Sequence, residues 1–287
     1  MAITRKQAEN ISAVLSEGLP YIQRFFGKII VIKYGGAAMS EGALKKGFAR
    51  DIALMKLVGM KPVVIHGGGP QIAKELKKAD ITSEFKAGLR VTDKPTMLIV
   101  EKVLGIQINK EISDLISKSG TPAKGLNFRN SGLIEASKLI NDDGVNLGLV
   151  GKVTRIKIKE IKKLLSRGIT PVISPIGLDK KLQRLNINAD AVAGKVAQAL
   201  KAEKLILLTD VKGITDSQGN ILSKVSPRKA NAILNNGIVK GGMMPKLEAA
   251  LESTINGVKS AHIVDGRVPH ALMLEILTKD GVGTLVT

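Results

Sequence analysis

The chain of 287 residues has no cysteine, no tryptophan and only seven aromatic rings, two Tyr and five Phe. Without cysteine there is no disulfide, no thiol nucleophile and no cysteine–zinc site. So few rings offer little for single-stranded bases to stack on, and no zinc-finger, helix-turn-helix or RNP pattern makes up for them. No apolar run comes near the roughly 20 residues that a membrane helix needs. The three histidines, His66, His262 and His270, lie in separate segments without metal-ligand spacing, so no metal site is expected. Arg5 and Lys6 are followed by Gln7, Glu9 and Asn10, which is not the form of a signal peptide. The expectation is a cytoplasmic protein with neither nucleic acid nor a membrane as partner.

Acidic residues are scarce as well: 25 Asp and Glu stand against 44 Lys and Arg, a net charge of +19. Such a surplus suits nucleic acid, a membrane surface or anionic small molecules. The densest stretch, residues 152–167, holds seven basic residues and one acidic. Ile158, Ile161, Leu164 and Leu165 recur in it at helical spacing, which reads as an amphipathic helix with a solvated lysine face.

Thr4-Arg5-Lys6-Gln7 has the form of a capping box. Ala8, Ile11 and Leu15 then share a helical face, and Gly18 with Pro20 should end the helix. This arm has no core of its own and must pack on the body or on a partner subunit. Beyond it the chain alternates. Residues 29–33, 62–65, 170–174, 205–209, 261–264 and 283–286 read as strands. Helical spacing groups Leu44, Phe48, Ile52 and Met55, then Ile72, Leu76 and Ala79. It also groups Val100, Leu104, Ile108, Ile112 and Leu115 on a long helix begun by Pro95, and Val192, Val196 and Ala199 further on. Helices are expected too after Ser226-Pro227, at 245–255 and at 269–277, whereas 121–158 reads as irregular or hairpin structure. The alternation predicts an α/β fold with a mainly parallel, helix-flanked sheet. The irregular middle suggests two lobes sharing that sheet.

Four glycine- or asparagine-rich turns follow strands or open helices. Lys33-Tyr34-Gly35-Gly36 presents a lysine beside bare glycine amides, which suits a phosphate or simply a tight turn. His66-Gly67-Gly68-Gly69-Pro70 opens a helix whose dipole and amides favour an anion. His66 is there either a base or a buried strand residue. In Asn186-Ile187-Asn188-Ala189-Asp190, Asn188 fits a helix N-cap, Asn186 a polar substrate and Asp190 a tether for lysines. Gly241-Gly242-Met243-Met244-Pro245-Lys246 puts a lysine in a first helical turn, where it opposes the dipole unless an anion binds. There is no G-x-x-x-x-G-K-[ST], no strand-linked G-x-G-x-x-G, no protein-kinase motif set and no serine elbow. Phosphate chemistry by lysines and glycine amides remains.

In this order, and with Gly88-Leu89-Arg90-Val91-Thr92 and Leu207-Leu208-Thr209-Asp210-Val211-Lys212-Gly213 between them, these segments resemble the amino acid kinase superfamily. More closely they resemble its N-acetylglutamate kinase family. The resemblance implies a three-layer sandwich and a reaction in which ATP phosphorylates the side-chain carboxylate of N-acetyl-L-glutamate, early in arginine biosynthesis. It implies that Lys33 and Lys246 stabilise the transferring phosphoryl group, that Gly36 and Gly68 offer it amides and that Asp190 orients both lysines. Gly68, Gly69, Arg90 and Asn186 would bind acetylglutamate, with Arg90 on its α-carboxylate. Thr209, Asp210, Lys212, Gly213, Met243 and Met244 would line the ATP site, with Mg²⁺ riding on the ATP phosphates. Residues 1–27 resemble the arm of arginine-inhibited members, which builds a hexamer from three dimers. L-Arginine would then bind by Tyr21, Glu275, Gly281 and Gly283. Residues 28–180 would form the acetylglutamate-binding and dimerising lobe, and 181–287 the ATP lobe. Phe25-Phe26 departs from the polar pair expected in the arm. A sister kinase acting on another carboxylate or carbamate, present as a hexamer or a dimer, fits the same segments.

Overall fold

The computed structural model describes residues 4–39, 41–86, 88–140, 146–216, 218–239, 241–279 and 281–287. At positions 10, 11, 14, 15 and 37 only the backbone is described, so the expected apolar contacts of Ile11 and Leu15 lie outside the described side chains.

Helix α1 (Arg5–Phe25) starts with the expected box: the Gln7 amide donates to Thr4 Oγ1 at 3.3 Å and the Thr4 amide to Gln7 Oε1 at 2.9 Å. It does not stop at Gly18 or Pro20. Pro20 sits inside the helix and leaves the Ser16 carbonyl without its usual donor. Packing carries the helix past this break. Gly18 lies against Leu277, the Lys279 amide donates to Glu17 at 3.1 Å, and Phe25 is buried in the core.

The chain then enters β1 (Ile29–Tyr34), crosses by α2 (Gly42–Leu57) to β2 (Lys61–His66) and runs into α3 (Gly69–Lys78). A hairpin of β3 (Phe85–Lys86) and β4 (Leu89–Arg90) follows. Helix α4 (Lys94–Val100) continues without a break through a π-helical stretch, Glu101–Ile108, into α5 (Asn109–Lys118). Val100, Leu104, Ile108, Ile112 and Ile116 are all buried along it, while the expected Leu115 is only partly so. A spacing of four overshoots a 3.6-residue turn, so the stripe would drift around an ideal helix. The wider turns of the π stretch bring it back.

The stretch expected to be irregular or hairpin structure contains β5 (Ala123–Leu126), β6 (Ile134–Lys138) and β7 (Gly151–Ile156), and the last two do pair as an antiparallel hairpin. Next come α6 (Lys159–Ser166), β8 (Thr170–Ile173), β9 (Ile176–Leu178), β10 (Arg184–Asn186) and α7 (Ala189–Leu200). The chain closes with β11 (Lys204–Thr209), β12 (Lys224–Val225), α8 (Pro227–Asn235), α9 (Met244–Ile255), β13 (Ser260–Asp265), α10 (Ala271–Leu277) and β14 (Gly283–Val286).

Among the described residues, eight strands form one sheet in the order β12-β14-β13-β11-β1-β2-β8-β5, parallel throughout except between β13 and β14. Alternate residues of each strand feed two separate cores. Val31, Val63, Leu205 and Leu207 pack with α6, α7 and α9, whereas Ile30, Ile32, Val64 and Ile206 pack with α2, α3, α5 and α10. This period of two makes three layers, helix on sheet on helix. A smaller sheet, β10-β9-β6-β7, covers one end. Among the described residues no helix is long and apolar enough to cross a membrane.

Pro20→Ala should restore the missing hydrogen bond and stabilise the arm by on the order of 1–3 kcal/mol. Slower amide exchange at residues 16–24 would show it. Unchanged exchange would mean that packing on α10 alone sets the arm's stability.

Candidate active site

Ligands of open α/β sheets bind beyond the carboxyl ends of parallel strands. Here β1, β2 and β11 are neighbours, and their ends open together. Lys33 is only 7 % exposed. Its side chain curls so closely over Gly35 that a Cβ there would lie 2.9 Å from its Nζ and would push the lysine tip aside. Asn188 caps α7 by accepting from the amides of Asp190 at 2.8 Å and Ala191 at 3.2 Å. That sets Asp190 in the first turn, where the helix dipole favours a carboxylate. Asp190 Oδ1 lies 3.1 Å from Lys33 Nζ, and Oδ2 accepts from Lys246 Nζ at 3.1 Å. Lys246, in the first turn of α9, also donates to the Gly242 carbonyl at 3.1 Å.

Burial lowers the pKa of Lys33 by more than Asp190 raises it, and Lys246 adds to the lowering. For Asp190, burial pulls upward, but the two lysines together outweigh it and hold the carboxyl below its usual value. One carboxylate serves two ammonium groups. Asp210, on the same cleft, adds a weaker negative field at Lys33 but makes no ion pair with either lysine, so an anion entering the cleft can still engage both.

The cleft over this cluster has a volume of about 470 Å³ and is lined also by Gly36, Gly68, Gly69, Arg90 and Asn186. Gly36 opens a 3₁₀ turn, Gly36–Met39, at φ +66°. Gly68 caps α3, and a Cβ there would meet Leu104 and Ile108 of the π stretch at 2.5 Å. Arg90 donates to the Gly69 carbonyl at 3.1 Å, bonds Ser83 Oγ and stacks on the Phe85 ring at 4.5 Å. Asn186 donates to Thr92 Oγ1 at 3.1 Å, and that hydroxyl donates to the Arg90 carbonyl at 2.8 Å. Thr92 closes the Gly88–Thr92 segment already singled out, whereas Ser83 and Phe85, which hold Arg90, carry no motif that would have drawn attention.

His66 is fully buried. Its Nδ1 lies 2.9 Å from the Gly67 carbonyl and its Nε2 3.2 Å from Asn109 Nδ2. Burial pushes its pKa down to about 4, against the Gly67 bond, so it is neutral near pH 7. Of its two readings the buried strand residue is the right one.

A second chamber of about 740 Å³ adjoins the cleft and shares Thr209, Asp210, Gly242 and Lys246 with it. Lys212, Gly213 and Met243 line this chamber. Met244 does not line it; its side chain is exposed on the first turn of α9. Ile238, Val239 and Arg267 do, and no motif marked them. Among the described residues no group of three or more His, Asp or Glu could hold a metal ion.

A third cavity, of about 570 Å³, lies apart from these between the end of α1 and the last elements. Tyr21, Glu275, Gly281 and Gly283 all line it. Glu275 is buried, with Oε1 2.5 Å from His262 Nδ1 and Oε2 accepting from the Val282 amide at 2.9 Å. Lys204 stands 2.9 Å from His262 Nε2 and 5.1 Å from the Phe25 ring, and burial pushes its pKa down to about 8. Lys204, His262 and Phe25 come together only through the fold.

The profile of the amino acid kinase family matches residues 28–265, most of the chain. The chain belongs to the amino acid kinase family. Within that family it is 52 % identical, over all of its own length and 99 % of the relative's, to the acetylglutamate kinase of Hydrogenovibrio crunogenus. It is 51 % identical, over the same shares, to that of Stutzerimonas stutzeri. Among solved structures, N-acetylglutamate synthase from Neisseria gonorrhoeae in complex with coenzyme A and N-acetyl-glutamate superposes with a TM-score of 0.85 at 23 % identity. That match covers 96 % of this chain but only 63 % of the synthase, and it carries the fold alone.

Asp190→Asn would leave Lys33 buried without its counter-charge. Breaking a buried pair costs about 3–5 kcal/mol, and the urea midpoint should fall accordingly. An unchanged midpoint would show that Asp190 is not what holds Lys33 in place.

Proposed function

We propose that this amino acid kinase uses ATP to phosphorylate the side-chain carboxylate of N-acetyl-L-glutamate. The observation that carries the reading is the pair of lysines on one buried carboxylate in the cleft, with Lys246 also lining the adjoining chamber. The kinase relatives of about 50 % identity support the choice of substrate. A carboxylate is already a competent nucleophile at neutral pH, so no general base is required. The obstacle is bringing two anions together, and phosphoryl transfer is catalysed mainly by positioning and charge.

Acetylglutamate belongs in the cleft, its α-carboxylate on Arg90 and its polar groups on Gly68, Gly69 and Asn186. The nucleotide belongs in the adjoining chamber, along Thr209, Asp210, Lys212, Gly213 and Met243. Lys33 and Lys246 then face the transferring group from its two sides, and the Gly36 and Gly68 amides complete its cradle. Asp190 sets the spacing of the two lysines. Mg²⁺ would be held by the nucleotide phosphates and would neutralise their charge.

The third cavity combines a buried carboxylate with ring faces, which suits a guanidinium. We assign it to L-arginine as feedback inhibitor. The arm supports an assembly role, since most described side chains from Thr4 to Glu17 are exposed while Phe25 anchors its far end. Residues 1–27 would link dimers into a hexamer, 28–180 would bind acetylglutamate and dimerise, and 181–287 would hold ATP. The cytoplasm is the compartment that supplies these substrates.

Incubation with Mg-ATP, N-acetyl-L-glutamate and hydroxylamine should yield a hydroxamate. ADP release with aspartate or carbamate, but none with acetylglutamate, would overturn the substrate. Lys33→Ala or Lys246→Ala should raise the barrier by on the order of 3–4 kcal/mol, and more than half the native turnover in either would remove that lysine from the mechanism. L-Arginine should suppress the colour. Glu275→Gln should raise the half-inhibiting concentration about tenfold or more, as for a lost charge-assisted bond, and an unmoved value would dismiss the site.

A further inference from the structure

A buried chain of hydrogen bonds ends at the Gly68 amide, and the direction of each bond follows from the one before it. The Val172 carbonyl can only accept, so the Asn109 side-chain nitrogen, 2.9 Å away, donates to it. The same NH₂ group lies 3.2 Å from His66 Nε2, which must then present its lone pair. In a neutral imidazole the proton is left on Nδ1, and Nδ1 faces the Gly67 carbonyl at 2.9 Å. That carbonyl is thereby drawn toward the ring. Across a planar trans peptide the C=O and the following N–H point in opposite directions. The Gly68 N–H is therefore turned away from the ring toward the cleft, and among the described residues it has no protein acceptor. The Gly67 amide is pinned separately by the Tyr34 carbonyl at 2.7 Å.

We propose that His66 is a positioning residue for phosphoryl transfer: with its tautomer set by Asn109 and Val172, it fixes the Gly67–Gly68 peptide so that the Gly68 amide is aimed at the transferring group. A glycine-rich turn has little stiffness of its own, and a free 67–68 peptide would sample the flipped orientation, which points an oxygen at an incoming phosphate. The inference rests on the kinase reading above, but its first test does not require activity.

In protein labelled with ¹⁵N-histidine, long-range ¹H–¹⁵N correlation should show His66 protonated at Nδ1 and bare at Nε2; the opposite tautomer would overturn the proposal. In turnover, His66→Leu removes the donor and keeps the site apolar. It should lower kcat by roughly a hundredfold, the scale for one oxyanion-type donor, with the KM for ATP within about twofold. His66→Asn places an NH₂ close to where Nδ1 stood and should recover about tenfold or more of that loss. A folded His66→Leu enzyme with native kcat would reduce His66 to a core residue and overturn the inference. So would a His66→Asn enzyme no faster than the leucine variant. Should the leucine variant not fold, the tautomer and the asparagine variant against the native enzyme still decide. An inactive native chain would sink the kinase reading and leave the tautomer readable.

Discussion

Two ammonium groups converge on one buried carboxylate, and that sharing orders much of the surrounding structure. Lys33 and Lys246 come from segments more than two hundred residues apart, on β1 and α9. Among the described residues Asp190, at the head of a third element, is the carboxylate paired with both. The dipole of α7 helps to keep Asp190 ionised. The close packing of α7 on α9, where Gly194 meets Ala249 and Ser253, fixes the distance between the two lysine-bearing elements. The cost of burying Lys33 with only part of a carboxylate to itself is borne by the folded scaffold.

Much of this was legible beforehand, for a physical reason. Parallel strands covered on both faces must be short and apolar, so β1, β2, β11 and β13 announced themselves. The turns after β1 and β2 need glycine for close approach, so Lys33, Gly36 and Gly68 stood out beside it, as did Lys246 beside the glycines that open α9. What stayed hidden was whatever depends on tertiary packing. Helix α1 continues through Pro20 because Leu277 and Lys279 lie beneath it, and no local pattern contains those contacts. Strands β9 and β10 are three residues each, too short to show alternation. Met244 looked like its neighbour Met243, but the first turn of α9 rotates it out of the chamber. Lys204, His262 and Phe25 are ordinary strand and helix residues until the arm closes on β11 and β13.

The net charge of +19 is spread far beyond the cavities. The lysines of α6 lie on its solvent face, while Ile161, Leu164 and Leu165 enter the core, as the amphipathic pattern required. The local field in the cleft owes more to burial than to this total. Exposed charges are screened within about 10 Å at ordinary salt, whereas the Lys33 and Asp190 side chains are less than a tenth exposed.

The π stretch has a further consequence, one of chain length more than of chemistry. Glu101, at its start, accepts from Arg184 Nη1 at 2.8 Å, and Asn109, just past its end, reaches His66. Both ends are thus tied to fixed points on different strands, and the extra width of the turns between them keeps both in phase. Exchanging one apolar side chain for another there disturbs packing alone. Losing a single residue would rotate everything beyond it by about 100° and carry Asn109 to the wrong side of the helix. The number of residues between Pro95 and Asn109 is therefore as much a part of the site as any side chain that touches it.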